Sequence, residues 1–134
     1  MTQPLSILVV DDEPAIRRAL ERALKRWGHT VHLATSGEAA CEVLGTDPVD
    51  LVLMDLRMPG MSGQTLFHSI AARWPHLVSR VIVMTGDPEA EDHHDWLRHH
   101  ALPMLMKPFE LAQLERLLGA LAAEAEEERR RSQG

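Results

Sequence analysis

Four short apolar runs in this chain each lead into polar residues that could handle a phosphoryl group. The polar residues are Asp11 with Asp12, then Asp55, Thr85 and Lys107. A carboxylate can act as a nucleophile or ligate a hard cation, a hydroxyl can donate to an anion, and an ammonium supplies fixed positive charge. Gathered in one crevice, these groups would suit a divalent cation and a phosphoryl group.

The apolar runs predict how these residues would be gathered. Residues 7–10, 51–54, 81–84 and 105–106 are continuously apolar, which favours strands buried on both faces of a parallel sheet. In an open parallel sheet the ligand crevice lies outside the carboxyl ends of the strands. We therefore expect the polar residues to converge although they are far apart in the chain.

The rest of the chain alternates between strand and helix patterns. We predict strands over 6–10, 30–34, 51–54, 80–84 and 104–106, and helices over 14–27, 37–44, 64–74, 90–99 and from 110 into the charged tail. Ser36 is placed to cap the second helix, and the polar character of the second strand indicates a sheet edge. The alternation predicts an α/β fold, a three-layer α/β/α sandwich around a five-stranded parallel sheet, but it leaves the strand order open.

Composition excludes several classes of protein. The 134 residues are 45% hydrophobic, enough for one folded domain, and the net charge of −6 without a basic run argues against direct nucleic-acid binding. The single cysteine, Cys41, cannot form an internal disulfide. Neither a signal peptide nor an apolar run long enough for a membrane is visible, so we expect a cytoplasmic protein.

Four motifs together resemble the receiver (CheY-like) domain of bacterial two-component response regulators. They are Asp11-Asp12-Glu13-Pro14, the run from Asp55 to Gly63, Met84-Thr85-Gly86-Asp87, and Lys107-Pro108-Phe109. The resemblance implies a receiver domain over residues 1–121. The charged residues that follow predict a solvated helical extension and a frayed tail over 122–134. It also implies the flavodoxin-like strand order 2-1-3-4-5, which the alternation alone leaves open.

The resemblance further implies a role for each polar residue. Asp55 would be the phosphoacceptor in a phosphorelay, taking the group from a phosphohistidine on a sensor histidine kinase or a histidine phosphotransfer protein. The other implied site residues are the Mg²⁺ ligands Asp11, Asp12, Asp55 and the Arg57 backbone carbonyl, and the phosphoryl contacts Thr85 and Lys107. In this family the peptide between such a lysine and the following proline, here Pro108, is commonly cis.

A cation is also expected on physical grounds, since three neighbouring carboxylates repel each other and raise the pKa of at least one. A divalent ion would remove that repulsion. Each site residue has an ordinary alternative: Asp55 as a loop cap, Asp11 and Asp12 as a helix cap, Thr85 as a strand end, and Lys107 as part of a loop.

Two features complicate the resemblance. The family usually has an aromatic residue three positions before the lysine, whereas this chain has Met104 and so lacks the ring to which the threonine is usually coupled. Arg57 and Asp87 each follow a site residue by two positions, and they could either pair across the entrance or stay separate loop charges.

The chain contains eight histidines, several of them around Trp96 in the predicted fourth helix. His93 and His100 are too far apart along a helix to share one metal ion, so solvated helix residues are favoured, with pH sensitivity as a second alternative. Trp96 itself could pack between helix and sheet or contact a partner.

Three function classes stay open. The first is a receiver that catalyses only its own phosphorylation and dephosphorylation and acts on a downstream protein partner. The second is a haloacid-dehalogenase-type phosphatase, whose Asp-x-Asp pattern is missing after the first strand. The third is a receiver-like interaction module that is not phosphorylated.

The resemblance leaves the wider context open as well. In the family the face of the fourth helix, fifth strand and fifth helix often pairs on activation, so a homodimer through that face is one option. The chain could be a free-standing receiver, a relay intermediate, or a receiver from a larger regulator or hybrid kinase. Met1 and the charged tail favour the first two.

Overall fold

A computed structural model describes residues 4–86 and 91–133, with side chains left undescribed at 91–94 and at 133. The elements are β1 (Ser6–Val10), α1 (Pro14–Arg26), β2 (Thr30–Ala34), α2 (Gly37–Thr46), β3 (Leu51–Asp55), α3 (Gly63–Arg73), a 3-10 helix (Pro75–Arg80), β4 (Val81–Thr85), α4 (Glu91–His100), β5 (Met104–Met106) and α5 (Leu111–Gln133). Within the described residues, none of these helices has the length and apolarity needed to cross a bilayer.

The five strands form one parallel sheet in the order β2-β1-β3-β4-β5. This confirms the predicted fold class and the order implied by the resemblance. β2 lies at an edge, as its polar sequence predicted, and β5 forms the other edge. The three central strands are almost entirely buried, which explains why their sequences are continuously apolar.

Successive residues of the central strands pack into two separate hydrophobic cores, one on each face of the sheet, because side chains alternate between the faces. Leu8, Val10, Val52 and Met54 pack with α2 and α3 on one face. The residues between them in sequence, Ile7, Val9, Leu51 and Leu53, pack with α1 and α5 on the other face. The sheet is therefore held rigid from both sides.

Local signals fix three of the helix ends. The Ser36 hydroxyl accepts a hydrogen bond from the Ala39 N–H at the start of α2, as predicted. Ser62 caps α3 in the same way, so this helix begins one residue earlier than predicted. Gly28 follows α1 with φ of +94°, a conformation that favours glycine. The 3-10 helix was not predicted, because six residues are too few to show a period.

The extension of α5 is not fully solvated, contrary to our expectation. The heptad-like spacing of Leu111, Leu114, Leu118 and Leu121 predicts core packing. Leu114, Leu118 and Leu121 are buried, as are Ala122 and Ala125, whereas Leu111 is exposed. Farther along the helix, Glu128 accepts a hydrogen bond from Arg80 at 2.8 Å. The helix therefore continues to pack on the body of the protein beyond residue 121.

Candidate functional site

Four neighbouring strands deliver the predicted site residues to one end of the sheet. Asp11 directly follows β1, and Asp55 is the last residue of β3. Thr85 ends β4 and Lys107 directly follows β5. The parallel register sets these strand ends side by side, so that the Lys107 N–H donates to the Thr85 carbonyl at 2.8 Å. The predicted convergence is confirmed for these four positions.

An acidic cluster forms the base of the site. Ligand oxygens of Asp11, Asp12 and Asp55 all lie within 4.8 Å of one another. Asp11 and Asp55 are buried while Asp12 is exposed, so the cluster opens to solvent on one side. Two oxygens on opposite sides of a Mg²⁺ ion are about 4.2 Å apart, given a Mg–O distance of about 2.1 Å. Three hard oxygen donors at this spacing fit Mg²⁺ after a small contraction.

Lys107 bridges the cluster from the opposite strand. Its Nζ lies 2.6 Å from Asp55 Oδ2 and 2.8 Å from Asp11 Oδ2. A third carboxylate, that of the exposed Glu13, lies 3.4 Å from the same Nζ. Charge-assisted hydrogen bonds of this length are strong, particularly where water is largely excluded. The ammonium is therefore held in place within reach of the carboxylate proposed to be modified.

The electrostatics of the site reflect competing terms. Burial raises the pKa of Asp55, and the charge of Asp11 raises it further, while hydrogen bonds from Lys107 and the Arg57 N–H act in the opposite direction. Burial would lower the pKa of Lys107, but hydrogen bonds and attraction from Asp11 and Asp55 outweigh burial, and the pKa is raised. The lysine thus stays charged at neutral pH. The surroundings of Asp55 disfavour its charged form relative to its protonated form.

Hydrogen bonds from the backbone orient the acidic loop. Asp11 Oδ1 accepts from the Glu13 N–H at 2.9 Å, and the Asp11 carbonyl accepts from Arg17 Nη1 at 2.6 Å. Asp55 Oδ1 accepts from the Arg57 N–H at 3.0 Å, which leaves Oδ2 for Lys107. Asp11 thus holds its loop rather than capping α1, whose N-cap Glu13 makes no side-chain cap bond.

The start of α3 presses directly against the end of β3. The Gly63 N–H donates to the Leu56 carbonyl at 3.0 Å. A Cβ at Gly63 would lie 2.5 Å from the Asp55 carbonyl oxygen and 2.8 Å from Leu56 Cα. Because both of these atoms belong to the backbone, only glycine allows this approach. Gly63 therefore sets where Asp55 leaves the sheet.

The remaining predicted positions have mixed outcomes. The Thr85 side chain is buried at the end of β4, and the exposed Arg57 lies next to Asp55. The Lys107–Pro108 peptide is cis, as the resemblance implied. The pairing of Arg57 with Asp87 falls outside the described residues. Met104 is exposed on the β5 edge.

Sequence reasoning missed three residues that support the site. Glu13 contacts Lys107, Arg17 holds the Asp11 carbonyl, and Gly63 permits the tight join between β3 and α3. Only Glu13 had a signal, since it extends the acidic pair by one carboxylate. The contacts of the other two depend on the path of the backbone.

Comparison with known proteins agrees with this geometry. A family model described as the response regulator receiver domain matches residues 7–119. Response regulator protein FleR of Pseudomonas aeruginosa is 38% identical over 104 residues, covering 78% of this chain and 22% of FleR. Transcriptional regulatory protein HptR of Staphylococcus aureus is 34% identical over 119 residues, covering 86% of this chain and 45% of HptR. The chain thus spans less than half the length of these curated relatives.

Solved structures show the same architecture. The signal receiver domain of an HD domain-containing protein from Pseudomonas fluorescens superposes with a TM-score of 0.83 at 28% identity, covering 98% of this chain and 96% of that one. Response regulator protein TrrA from Thermotoga maritima, solved in complex with Mg²⁺ and BeF, gives a TM-score of 0.74 at 30% identity, covering 87% and 98%.

Proposed function

The chain belongs to the response regulator receiver domain family, and from this membership we propose that it accepts a phosphoryl group on Asp55 from a phosphohistidine. The donor would be a sensor histidine kinase or a histidine phosphotransfer protein. One observation carries the proposal: the Lys107 ammonium lies 2.6 Å from an Asp55 carboxylate whose oxygens are grouped with those of Asp11 and Asp12.

The proposed transfer is a displacement at phosphorus. A carboxylate oxygen of Asp55 attacks, a P–O bond forms, the P–N bond to the donor imidazole breaks, and the leaving imidazole nitrogen takes up a proton from solvent. Lys107 moves its hydrogen bond from Asp55 to a phosphoryl oxygen, and the Thr85 hydroxyl donates to another. We assign Asp55, Thr85 and Lys107 as the reacting and contacting residues.

We further propose that Asp11, Asp12, Asp55 and the Arg57 backbone carbonyl hold Mg²⁺. When bound, the ion neutralises charge on the transferring group. TrrA was solved with Mg²⁺ and BeF. The carboxylates of Asp11, Asp12 and Asp55 offer the oxygen ligands that Mg²⁺ prefers. The protein's own contribution is to hold Asp55 and Lys107 in a fixed geometry before the donor arrives.

Transfer would act as a switch rather than as turnover of an external substrate. The aspartyl-phosphate adds negative charge and acceptor oxygens, which draw Thr85 and alter the α4 surface that a downstream protein contacts. We propose residues 1–121 as the receiver unit and 122–134 as its extension. The cytoplasmic location and a homodimer through α4, β5 and α5 stay predictions.

The direct test is intact-mass analysis after incubation with acetyl phosphate and Mg²⁺. We expect one labile phosphoryl adduct on the wild-type protein and none on Asp55→Asn, with the adduct lost in mild base. Asp50→Asn is the matched control, because Asp50 lies just before β3 and outside the acidic cluster. An adduct that persists in Asp55→Asn, or no adduct on either protein, would overturn the proposal and favour a module that is not phosphorylated.

A further inference from the structure

A cluster of aromatic and imidazole rings joins α3 to α4. Its members, which we call the α3–α4 ring cluster, are Phe67, His68, Trp96, His99 and His100. The His100 ring lies 4.7 Å from Trp96, 5.0 Å from Phe67 and 6.0 Å from His68, measured between ring centroids. Sequence analysis did not foresee this cluster, because His68 comes from a different helix.

Trp96 is the packing centre of this cluster. It is half-buried and packs against the core below α3 and α4, which confirms the packing alternative for this residue. Its indole Nε1 is buried and has no hydrogen-bond partner among the described residues. A buried N–H without a partner is costly, and movement of α4 that let water reach it would relieve that cost. Ring packing therefore holds α4 in its docked position, while the unpaired indole N–H of Trp96 disfavours that position.

The charges around His100 come mostly from other histidines. His99 lies 4.9 Å from it on α4, and His68 faces it from α3. Burial lowers the pKa of His100, and the charges of His99 and His68 lower it further. The other charged side chains described on these helices, Asp95, Arg98 and Arg73, are exposed, and Arg73 lies over Trp74 instead.

We propose that the α3–α4 ring cluster is a proton-sensitive contact, which holds α4 against α3 while the three imidazoles are neutral and loosens when they become cations. The neutral His68 and His100 rings pack on Trp96 and Phe67, and His99 packs on His100, without charge repulsion between them. Protonation places three like charges on neighbouring rings at the join between two helices, and it favours water around His100. Attraction of a cationic His100 to the face of Trp96 opposes this loosening. The repulsion of His100 by the cationic His68 and His99 outweighs that single attraction.

The consequence is a second input to α4 that does not pass through Asp55. Because the folded state disfavours protonated His100, the contact is fully formed above the ordinary histidine pKa of about 6.5 and weakens as the pH falls below it. A partner of α4 would thus meet a different helix position at mildly acidic pH.

The test is an NMR titration of the full chain from pH 8 to pH 5.5 without phosphodonor or Mg²⁺. We expect His100 to titrate below the ordinary histidine pKa of about 6.5, and to move toward that value in His68→Gln. Solvent protection of the Trp96 indole N–H, corrected for intrinsic exchange, should fall by about threefold or more as the cluster protonates, the scale of like-charge repulsion at 6.0 Å in water.

Two variants separate this inference from a general effect of acid. His76→Gln is the matched control and should leave both readouts unchanged. Asp55→Asn should keep the proton response intact, so failure of phosphoryl transfer would not touch this inference. An unshifted His100 in the wild-type protein, no change of His100 in His68→Gln, or constant Trp96 protection across the titration would each overturn it.

Discussion

At the residue scale, the position of Lys107 decides what the acidic cluster can do. Its ammonium neutralises part of the charge of two buried carboxylates, so the fold tolerates the cluster without a bound cation. Under the proposed function, the same ammonium would also contact a phosphoryl oxygen. Stability and phosphoryl transfer would then depend on one side chain.

Replacing Lys107 by methionine should lower the free energy of unfolding by about 3 kcal/mol, because it leaves Asp11 and Asp55 buried without their cation. Urea unfolding at pH 7.5 without Mg²⁺ would measure the loss. Lys25→Met is the control, since Lys25 is exposed and its i,i+4 pair with the half-buried Glu21 should contribute less than about 0.5 kcal/mol. Equal effects of the two substitutions would contradict the structural role assigned to Lys107.

Asp55→Asn should stabilise the protein near neutral pH when Mg²⁺ is absent. The pKa of Asp55 is raised above its ordinary value of 3.8, so the folded state binds this proton more tightly than the unfolded state does. The stabilising contribution of the protonated form is therefore present below that value and is lost as the pH rises through the folded pKa. The asparagine variant should gain a few degrees in Tm at pH 7 and little at pH 4.

Mg²⁺ supplies the control for that prediction. The ion favours the carboxylate form of Asp55, so saturating Mg²⁺ should stabilise wild type more than Asp55→Asn. The difference in Tm between the two proteins at pH 7 should therefore narrow or reverse. Thermal unfolding from pH 4 to pH 8, with and without Mg²⁺, measures both effects. A variant less stable than wild type throughout the Mg²⁺-free series would show that the carboxylate is favoured by its surroundings.

At the scale of elements, the join between β3 and α3 is the least forgiving part of the site. Gly63→Ala places a methyl group against the backbone at Asp55 and should cost about 2 kcal/mol or more in stability. Because the helix must shift, the rate of phosphorylation by acetyl phosphate should fall as well. Urea unfolding and intact-mass time courses would measure these two effects.

Gly119→Ala provides the matched control for this substitution. Gly119 lies within α5 with open space around its would-be Cβ, so the same substitution should stabilise the protein by about 0.5–1 kcal/mol through helix propensity. Equal stability and equal phosphorylation rates of the two alanine variants would show that the close approach at Gly63 is not needed for the site.

The elements also show what sequence can and cannot predict here. Continuous apolar runs such as Ile7–Val10 predict buried strands directly, because burial on both faces leaves no polar positions. Asp11, Asp55 and Lys107 could be placed together because strand ends in a parallel sheet converge. The contact of Arg17 with the Asp11 carbonyl, and of His68 with His100, depends on how neighbouring elements pack, and no local pattern records that packing.

At the scale of the whole molecule, α5 connects the site end of the sheet to the opposite end. It begins shortly after Lys107, packs along α1 and the sheet, and reaches Arg80 through Glu128. The segment beyond residue 121 is therefore part of the folded body as far as Ala125.

Ala125→Glu should lower stability by about 2 kcal/mol, because a charged side chain would replace a buried methyl group. Ala123→Glu, two residues earlier on the exposed face, should change stability by less than about 0.5 kcal/mol. Urea unfolding of the pair measures how firmly the extension is docked. Equal values for the two variants would indicate that the helix is solvated beyond residue 121.

The long sequence separation of the Lys107 contacts has a consequence for biosynthesis. Lys107 lies 96 positions from Asp11 and 52 from Asp55, so its contacts with them form only when the last strand joins the sheet. A nascent chain that has not yet produced β5 contains the carboxylates of Asp11 and Asp55 but lacks the Lys107 ammonium that contacts them. Because β5 is made after β1 and β3, the Lys107 contacts are the last part of the site to form during synthesis, and a chain that stops before residue 107 would keep the carboxylates without their cation.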